Sequence, residues 1–315
     1  MKKYLMYVAK RILAMIPILL IVSFAIFFLL RLSGNSEMAA IIGEKQASDE
    51  LKARIIQEYG LDDPMLLRYI NWLKDALSGD FGKDYTSGQN VNELIITRIP
   101  VTLGLVGISF VIGTILAILL GVIASLHRNK PIDTAISLLM LFFSSVPGFL
   151  ICVVVLIIVA KFMPGYSFIG TYSNISEYFQ RIWLPALIMS LGHLALLGRV
   201  TRSSMTSQLQ SSYIVTANAK GIGSNAVTYK HAFHNAVIPV LTVAGNSLAG
   251  AIGGTVLIEQ IFSLPGIGGL LISGVQTNNY PVVQVLVMLM LIIYLVVSLL
   301  VDLLYVIIDP RVSLV

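Results

Sequence analysis

Long apolar stretches alternate with polar ones along nearly the whole chain. About 20 apolar residues in an α-helix match the thickness of a bilayer's hydrocarbon core. Six stretches reach that length, at roughly 9–31, 99–126, 132–162, 183–205, 235–260 and 282–308. Only helices or closed barrels satisfy every backbone polar group inside lipid, and runs of this length favour helices. The pattern therefore predicts an all-α integral membrane protein with six transmembrane helices.

The composition agrees with this fold class. Hydrophobic residues make up 57% of the 315 residues and charged residues only 12%. Soluble domains carry about twice that share of charge. The basic residues are scattered through apolar stretches, which argues against a surface for nucleic acid.

The first apolar run is longer than a signal-peptide core and lacks an A-x-A site, so residues 1–31 are interpreted as an N-terminal segment with the first span.

Basic residues in the short loops set the expected orientation, because lysine and arginine accumulate on the cytoplasmic side. The short loops on the opposite side offer only Lys161 and Arg181. We therefore expect both termini and the loop at 206–234 to be cytoplasmic. The residues on that side are Lys2, Lys3, Lys10, Arg11, Arg128, Lys130, Arg199, Arg202, Lys220, Lys230 and Arg311.

The long connection at 32–98 is then extracytoplasmic, and it holds 11 of the 16 acidic residues. Two short amphipathic helices are expected in it. One begins near Ser48 and stops at Gly60, and the next has Asp63 as its cap and Pro64 at its first position. The connection is either a solvated linker or a surface that meets a partner outside the cell, and its length favours the partner.

Small residues recur at helical spacing in the second and fifth spans, where they allow another helix to approach closely. These stripes fit either packing inside the chain or contact with a second subunit. In the second span they are Ser109, Gly113, Ala117, Gly121 and Ser125, and in the fifth Gly245, Ala249, Gly250, Gly253 and Gly254.

The third span is interrupted near its middle by Ser144, Ser145, Pro147 and Gly148. Proline frees backbone groups and kinks a helix, and broken helices in membranes often mark transport sites. This interruption is either part of a pathway or a plain structural kink. His193 in the fourth span is interpreted as a packed or pore-facing side chain.

Motifs for catalysis or metal binding are absent from the sequence. His231 and His234 are three residues apart, but no acid or thiol near them completes a zinc site. The chain contains no P-loop, H-E-x-x-H or G-x-S-x-G motif. We therefore expect neither enzyme activity nor a bound metal, and any ATP must be hydrolysed by another chain. Cys152, the single cysteine, is expected to pack in the interior.

The loop between the fourth and fifth spans carries a recognisable pattern. It resembles the Y-V-x-T-A-x-A-K-G and H-A-x-x-N-A-x-x-P loop of permease subunits in the dipeptide/oligopeptide/nickel branch of ABC importers. The matching residues are Tyr213, Thr216, Ala217, Ala219, Lys220, Gly221, His231, Ala232, Asn235, Ala236 and Pro239. Val215 stands where the wider family has the glutamate of its E-A-A motif. The resemblance to the B-type permease extends over essentially the whole chain. The further matching segments are RLSG, YGLDDP, GDFGKDYTSGQNV, RIPVTL, IEQIFSLPGIGGLL and VDLLYVIIDPRV.

This resemblance implies a type I ABC importer permease fold, multi-pass in a bacterial plasma (inner) membrane. It also implies four partners besides the lipid bilayer, namely a second homologous permease, two ATP-binding subunits and an extracytoplasmic substrate-binding protein. No cofactor is expected in this chain, since ATP and Mg would be bound by the ATP-binding subunits. Di- or oligopeptides are the expected cargo, with nickel, a metal chelate or a glutathione-like solute as alternatives. An ion-driven secondary transporter is the alternative of a different class, although no string of intramembrane charges suggests a proton relay.

Within such an assembly, the loop would dock on an ATPase. A short helix from Tyr213 to Lys220 would stop at Gly221, and Ser224 or Asn225 would cap a second helix. Small side chains would permit close docking at Ala217 and Ala219, with Tyr213 as an aromatic anchor. The permease core would cover 99–315, and Glu259, Pro265 and Gly266 are candidates for an outer gate.

Overall fold

The computed structural model describes residues 2–32, 37–42, 48–166, 168, 172 and 174–308. These residues are helical apart from turns and one isolated bridge between Lys83 and Asn90. The helices are α1 (Lys2–Leu32), α2 (Glu37–Ile42), α3 (Asp49–Tyr59), α4 (Met65–Ser78), α5 (Val91–Leu126), α6 (Pro131–Ser145), α7 (Gly148–Phe162), α8 (Ile175–Leu209), α9 (Ser212–Ala219), α10 (Phe233–Ile261), α11 (Ile267–Gln276) and α12 (Tyr280–Ile308), with a π-helix (Ala226–Ala232) before α10. The chain forms two compact units, Met1–Thr102 with Pro265–Leu295, and Leu103–Leu264 with Val296–Val315.

Among the described residues, five helical segments are long and apolar enough to cross a membrane. They lie in α1, α5, α8, α12 and the π-helix with α10. The remaining predicted span, the third along the chain, corresponds to α6 and α7 together, which meet at an angle of 99°. Each of these two helices has 15 residues and is about 22 Å long, so neither crosses a core of about 30 Å alone. The predicted all-α membrane fold is confirmed, and the described residues give the six predicted spans when α6 and α7 are counted together as one broken span.

The break lies at the interruption that the sequence marks. Val146 ends α6 in an extended conformation (ψ 125°), as the residue before a proline prefers. Pro147 is also extended (ψ 131°), and α7 begins at Gly148. Two consecutive extended residues redirect the chain, so the interruption is a sharp corner and not a mild kink.

The first unit contains the predicted helices between the first two spans. Ser48 caps α3 by accepting the Leu51 N–H, and Gly60 ends it with a left-handed conformation (φ 56°), so this helix is confirmed. The prediction for α4 is wrong by one residue, because Pro64 is extended and occupies the N-cap position, with no side-chain hydrogen bond. The sequence reasoning missed α2 and α11, which are too short to give a clear periodic signal.

A buried charge cluster joins α1, α2 and α4 in this unit. The Glu37 carboxylate pairs with Arg31 (3.2 Å) and with Arg68, and the Tyr85 hydroxyl donates to it at 2.8 Å. The Arg31 guanidinium also lies 3.5 Å from the centre of the Phe27 ring. Because burial and the Glu37 carboxylate both disfavour a phenolate, the pKa of Tyr85 is raised above its usual value.

In the second unit, α8 packs against α5 and α10. The small residues of α5 face α8, so the stripe in the second span serves internal packing. A Cβ at Gly121 would lie 2.6 Å from Thr201 Cβ, and one at Gly113 would lie 2.8 Å from the His193 ring. Ala117 is fully buried between these two glycines. Close approach of the two helices therefore requires glycine at both positions.

Candidate functional site

The loop between α8 and α10 folds into two helices joined at Gly221. Helix α9 ends where the Gly221 N–H donates to the Asn218 carbonyl (2.9 Å) and the Ile222 N–H donates to the Ala217 carbonyl (3.2 Å). Gly221 has φ +77°, a conformation that glycine adopts without strain. The predicted short helix and its stop at Gly221 are confirmed.

The second helix of the loop differs from the prediction. Helical structure already starts at Ser224, and Asn225 makes no side-chain capping bond at the start of the π-helix. The seven residues from Ala226 to Ala232 are wound as a π-helix that runs directly into α10. Neither Ser224 nor Asn225 therefore acts as the predicted cap. π-Helices are frequent at functional sites, but no residue type marks them in a sequence.

One face of the loop packs against its own hydrophobic core. Ile214 and Ala217 of α9 are buried with Met205, Val227 and Ala232. Ala217 is only 8% exposed, so the expectation that it lies on a docking surface is wrong. Its small side chain instead allows α9 to approach the π-helix closely.

Other side chains of the loop are exposed, among them one aliphatic and one aromatic side chain. Val215 is 63% exposed and Tyr229 is 60% exposed. Thr216, Ala219 and Lys220 are exposed as well. No aspartate or glutamate occurs between residues 178 and 258, so the loop's charges are all basic. We name the exposed side chains Val215, Thr216, Ala219, Lys220 and Tyr229 the docking face.

Tyr213 holds the two halves of the loop together. Its hydroxyl donates to Gln208 Oε1 at 2.8 Å and accepts from Asn235 Nδ2 at 3.1 Å. Asn235 Nδ2 also donates to the His231 carbonyl at 3.2 Å. Tyr213 thus fixes α9 to the end of α8 and the start of α10, in addition to any contact its ring makes with a partner.

The pathway candidates fall into separate places. Ser144 Oγ, at the end of α6, accepts a hydrogen bond from Arg199 Nη2 at 3.0 Å, and Ser145 Oγ donates to the Leu141 carbonyl. Pro147 and Gly148 form the corner between α6 and α7. A role of these residues in a pathway stays a prediction.

His193 lies between three spans. Its Nε2 and Nδ1 are 2.9 and 2.8 Å from the hydroxyls of Thr114 in α5 and Ser247 in α10, and its ring packs on Phe110. Both ring nitrogens are therefore satisfied by protein groups. The described residues contain no group of three or more His, Cys, Asp or Glu side chains that could hold a metal.

The glycine-rich stripe of α10 divides into two sets. Gly245 and Ala249 are buried, and a Cβ at Gly245 would collide with Val301 of α12. By contrast, Gly250, Gly253 and Gly254 are exposed and have open space around their Cα atoms. The first pair serves packing within the chain, and contact with a second subunit stays a prediction for the other three.

The outer-gate candidates lie around the end of α10. Glu259 is fully buried in the last turn of that helix. Gly266 occupies the N-cap position of α11 directly after Pro265, and the Ile267 N–H donates to Thr102 Oγ1 at 3.0 Å. A gating role for Glu259, Pro265 and Gly266 stays a prediction.

Comparison with known proteins gives this arrangement a family. Residues 113–314 match the family described as "Binding-protein-dependent transport system inner membrane component", and residues 4–106 match its N-terminal region. The oligopeptide transport system permease protein AppB of Bacillus subtilis is 33% identical over 98% of this chain and 99% of its own length. Proteins named as peptide permeases in Brucella abortus and Sinorhizobium fredii are 35% and 32% identical, each over 97% of this chain and 98% of its own length. The chain belongs to the family of binding-protein-dependent transport system inner membrane components.

Proposed function

We propose that this chain is the permease subunit of an ATP-driven peptide importer in the bacterial inner membrane. The observation that carries the proposal is similarity over nearly the full length to relatives named as peptide permeases, including the oligopeptide permease of Bacillus subtilis. The spans supply half of a translocation pathway, and a second homologous permease supplies the other half. Catalysis and the binding of ATP and Mg belong to two partner ATPase subunits, while a substrate-binding protein delivers the peptide.

The docking face is the surface on which an ATPase subunit acts. It includes an exposed valine and an exposed tyrosine, and water is excluded from such side chains when a partner covers them. Its flanking charges are positive, since Lys220 and Lys230 have no acidic neighbours in the loop's sequence. The complementary groove is therefore apolar with carboxylates at its edge. ATP-driven closure of the ATPases would move this loop, and α8 and α10 would carry the motion into the spans.

The segment between α1 and α5 is the contact for the binding protein. Asp62 and Asp63, in the turn between α3 and α4, are exposed, and so are Asp75, Leu67 and Leu77 of α4. We expect Asp62→Lys with Asp75→Lys to raise the concentration of binding protein needed for half-maximal uptake. Unchanged uptake at every concentration of binding protein would refute this contact.

The docking face is tested with two arginine substitutions on α9. Val215→Arg places a charge at an exposed position of the docking face, so we expect loss of ATPase co-purification and of peptide uptake with normal insertion and thermal stability. Ala217→Arg pushes a charge into the loop core and should lower thermal stability itself. Leu77→Arg, at an exposed apolar position of α4 outside the loop, is the control and should retain the ATPase.

Two outcomes separate the docking face from the function as a whole. Full ATPase binding and uptake in Val215→Arg would contradict the docking face alone. Uptake by the isolated chain driven by an ion gradient, without any ATPase, would overturn the importer and identify a secondary transporter.

A further inference from the structure

A small pocket of about 240 Å³ lies in the unit formed by Met1–Thr102 and Pro265–Leu295. Its walls include the apolar side chains of Leu94, Leu270 and Val282, and the hydroxyls of Ser273 and Thr277 line it as well. Pockets that bind small molecules combine apolar walls with a few convergent polar groups. Two ionisable residues of opposite charge, Asp84 and Arg98, also line it.

Asp84 lines this pocket and has one carboxylate oxygen with a hydrogen-bonding capacity that the described residues leave unused. The residue is 8% exposed, and its Oδ1 accepts the backbone N–H groups of Thr86 (2.7 Å) and Ser87 (2.8 Å). Its Oδ2 makes no hydrogen bond or ion pair within the part of the chain that the structure describes. Oδ2 keeps some solvent-accessible surface, so a ligand can reach it. A cationic donor in the pocket would satisfy the second oxygen.

Arg98 offers the opposite charge. It lies near the start of α5 and is partly buried, and its guanidinium makes no hydrogen bond or ion pair with any residue that the structure describes. Guanidinium groups present five N–H donors in a planar fork that matches carboxylate and phosphate oxygens. Asp84 and Arg98 thus share one pocket without pairing with each other.

We propose that this pocket binds a small zwitterion. Its ammonium group would donate to Asp84 Oδ2, and its oxyanion would accept from Arg98, with Ser273 and Thr277 as further donors. The volume lies just below the range of about 300–1,000 Å³ for drug-sized ligands, which suits a dipeptide or a phosphoethanolamine headgroup. Both molecules carry an ammonium and an oxyanion.

Binding of the zwitterion depends on the charged residues that line the pocket and does not depend on the proposed import function. Its test is a binding measurement on the purified full-length chain, in detergent without added phospholipid. The probes are dialanine, phosphoethanolamine and N-acetyl-dialanine amide, and binding is followed by isothermal titration calorimetry. A negative result would leave the proposed import function standing, because that function is tested through the docking face.

We expect dialanine or phosphoethanolamine to bind the wild type, and the doubly blocked peptide not to bind. Asp84→Asn retains an oxygen for the Thr86 and Ser87 N–H groups but removes the charge. Asp84→Asn and Arg98→Gln should each weaken binding by about 10- to 100-fold, as expected for loss of a charged hydrogen bond. Arg98→Lys keeps the charge without the fork and should bind with intermediate affinity.

Matched controls make the same changes of charge outside the pocket. They are Glu93→Gln for Asp84→Asn and Lys83→Gln for Arg98→Gln, and both should bind like the wild type. Binding of dialanine alone identifies a peptide terminus, and binding of phosphoethanolamine alone identifies a lipid headgroup; either supports the site. No binding of either probe to the wild type, or equal binding by the wild type and the Asp84 and Arg98 variants, would overturn it.

Discussion

Removing the carboxylate of Asp133 tests an ion pair between two helices of the second unit. Asp133 lies in the first turn of α6 and is 4% exposed. Its two oxygens accept from Arg202 Nε (2.5 Å) and Nη2 (2.7 Å) of α8, and Oδ2 also accepts the Asn129 N–H at 3.0 Å. The pair therefore fixes α6 to α8 and closes the turn before α6.

The expected cost of Asp133→Asn follows from this geometry. Breaking a fully buried pair costs about 3–5 kcal/mol, because one charge is left without a partner. The Arg202 side chain is 32% exposed and can turn partly to water, so the cost falls towards the range of about 1.5–3 kcal/mol for a charged hydrogen bond. We expect a loss of about 2 kcal/mol. A domain of 150–250 residues shifts its melting midpoint by about 2–4 °C per kcal/mol, so the midpoint should fall by roughly 4–8 °C.

Cys152 provides the assay. It is the single cysteine of the chain and is fully buried in α7. A thiol-reactive fluorescent dye therefore reports unfolding of the purified protein during a temperature ramp. Asp49→Asn is the control, because it removes a fully exposed carboxylate that pairs with the half-exposed Lys52 (3.3 Å), and such a pair should be worth less than about 1 kcal/mol.

A double-mutant cycle completes this test. If the two side chains stabilise the protein through each other, Asp133→Asn with Arg202→Gln should be about as stable as either single variant. A melting midpoint of Asp133→Asn within the range of the Asp49→Asn control would refute the stabilising role of the pair. Additive losses in the double variant would show that Asp133 and Arg202 act independently.

Three further predictions follow from close contacts and from the buried tyrosine. Gly121→Ala should lower the melting midpoint by several degrees, because the added Cβ would overlap Thr201. The control Gly107→Ala, on the same helix, adds a Cβ that meets nothing within 4 Å and should not lower the midpoint. Equal midpoints of the two variants would contradict the α5–α8 contact. His193→Phe should also lower the midpoint, because the Thr114 and Ser247 hydroxyls lose a shared partner, and His193→Asn should restore part of the loss. The pKa of Tyr85 is raised in the folded state, so its contribution to stability is complete below pH 10 and is lost as the pH rises above it. Between pH 9 and about 11, the midpoint of the wild type should therefore fall more steeply than that of Tyr85→Phe, and parallel curves would argue against this linkage.

The spans and several helix ends are encoded locally and were predictable from the sequence. Lipid leaves backbone groups no partner except one another, so a long apolar run is read as a helix without knowledge of its neighbours. Local chemistry likewise marks Ser48 as a cap and Gly60 and Gly221 as helix ends, because each acts on its own few residues. The same reasoning places a break at Pro147 but not the 99° angle, which depends on how α6 and α7 pack.

The position of the candidate site in the chain was predicted correctly, but which of its side chains are exposed was not. The motif located the loop and its glycine, yet Ala217 is turned inward and Val215 outward. An eight-residue helix has too few turns for its apolar positions to distinguish the buried face from the exposed one. That choice is made by Met205, Val227 and Ala232, which reach α9 only after the chain has folded.

The sequence by itself determined a six-span helical membrane protein of the importer permease family and the place of its loop. Tertiary structure alone decided which small residues pack within the chain, since Gly113 and Gly245 meet other helices while Gly250 and Gly253 lie in open space. It also placed Asp84 and Arg98 in one pocket. The physical reason is the separation along the chain over which each interaction acts. Hydrophobicity and capping act over a few neighbouring residues, whereas contacts between helices join positions far apart in the chain.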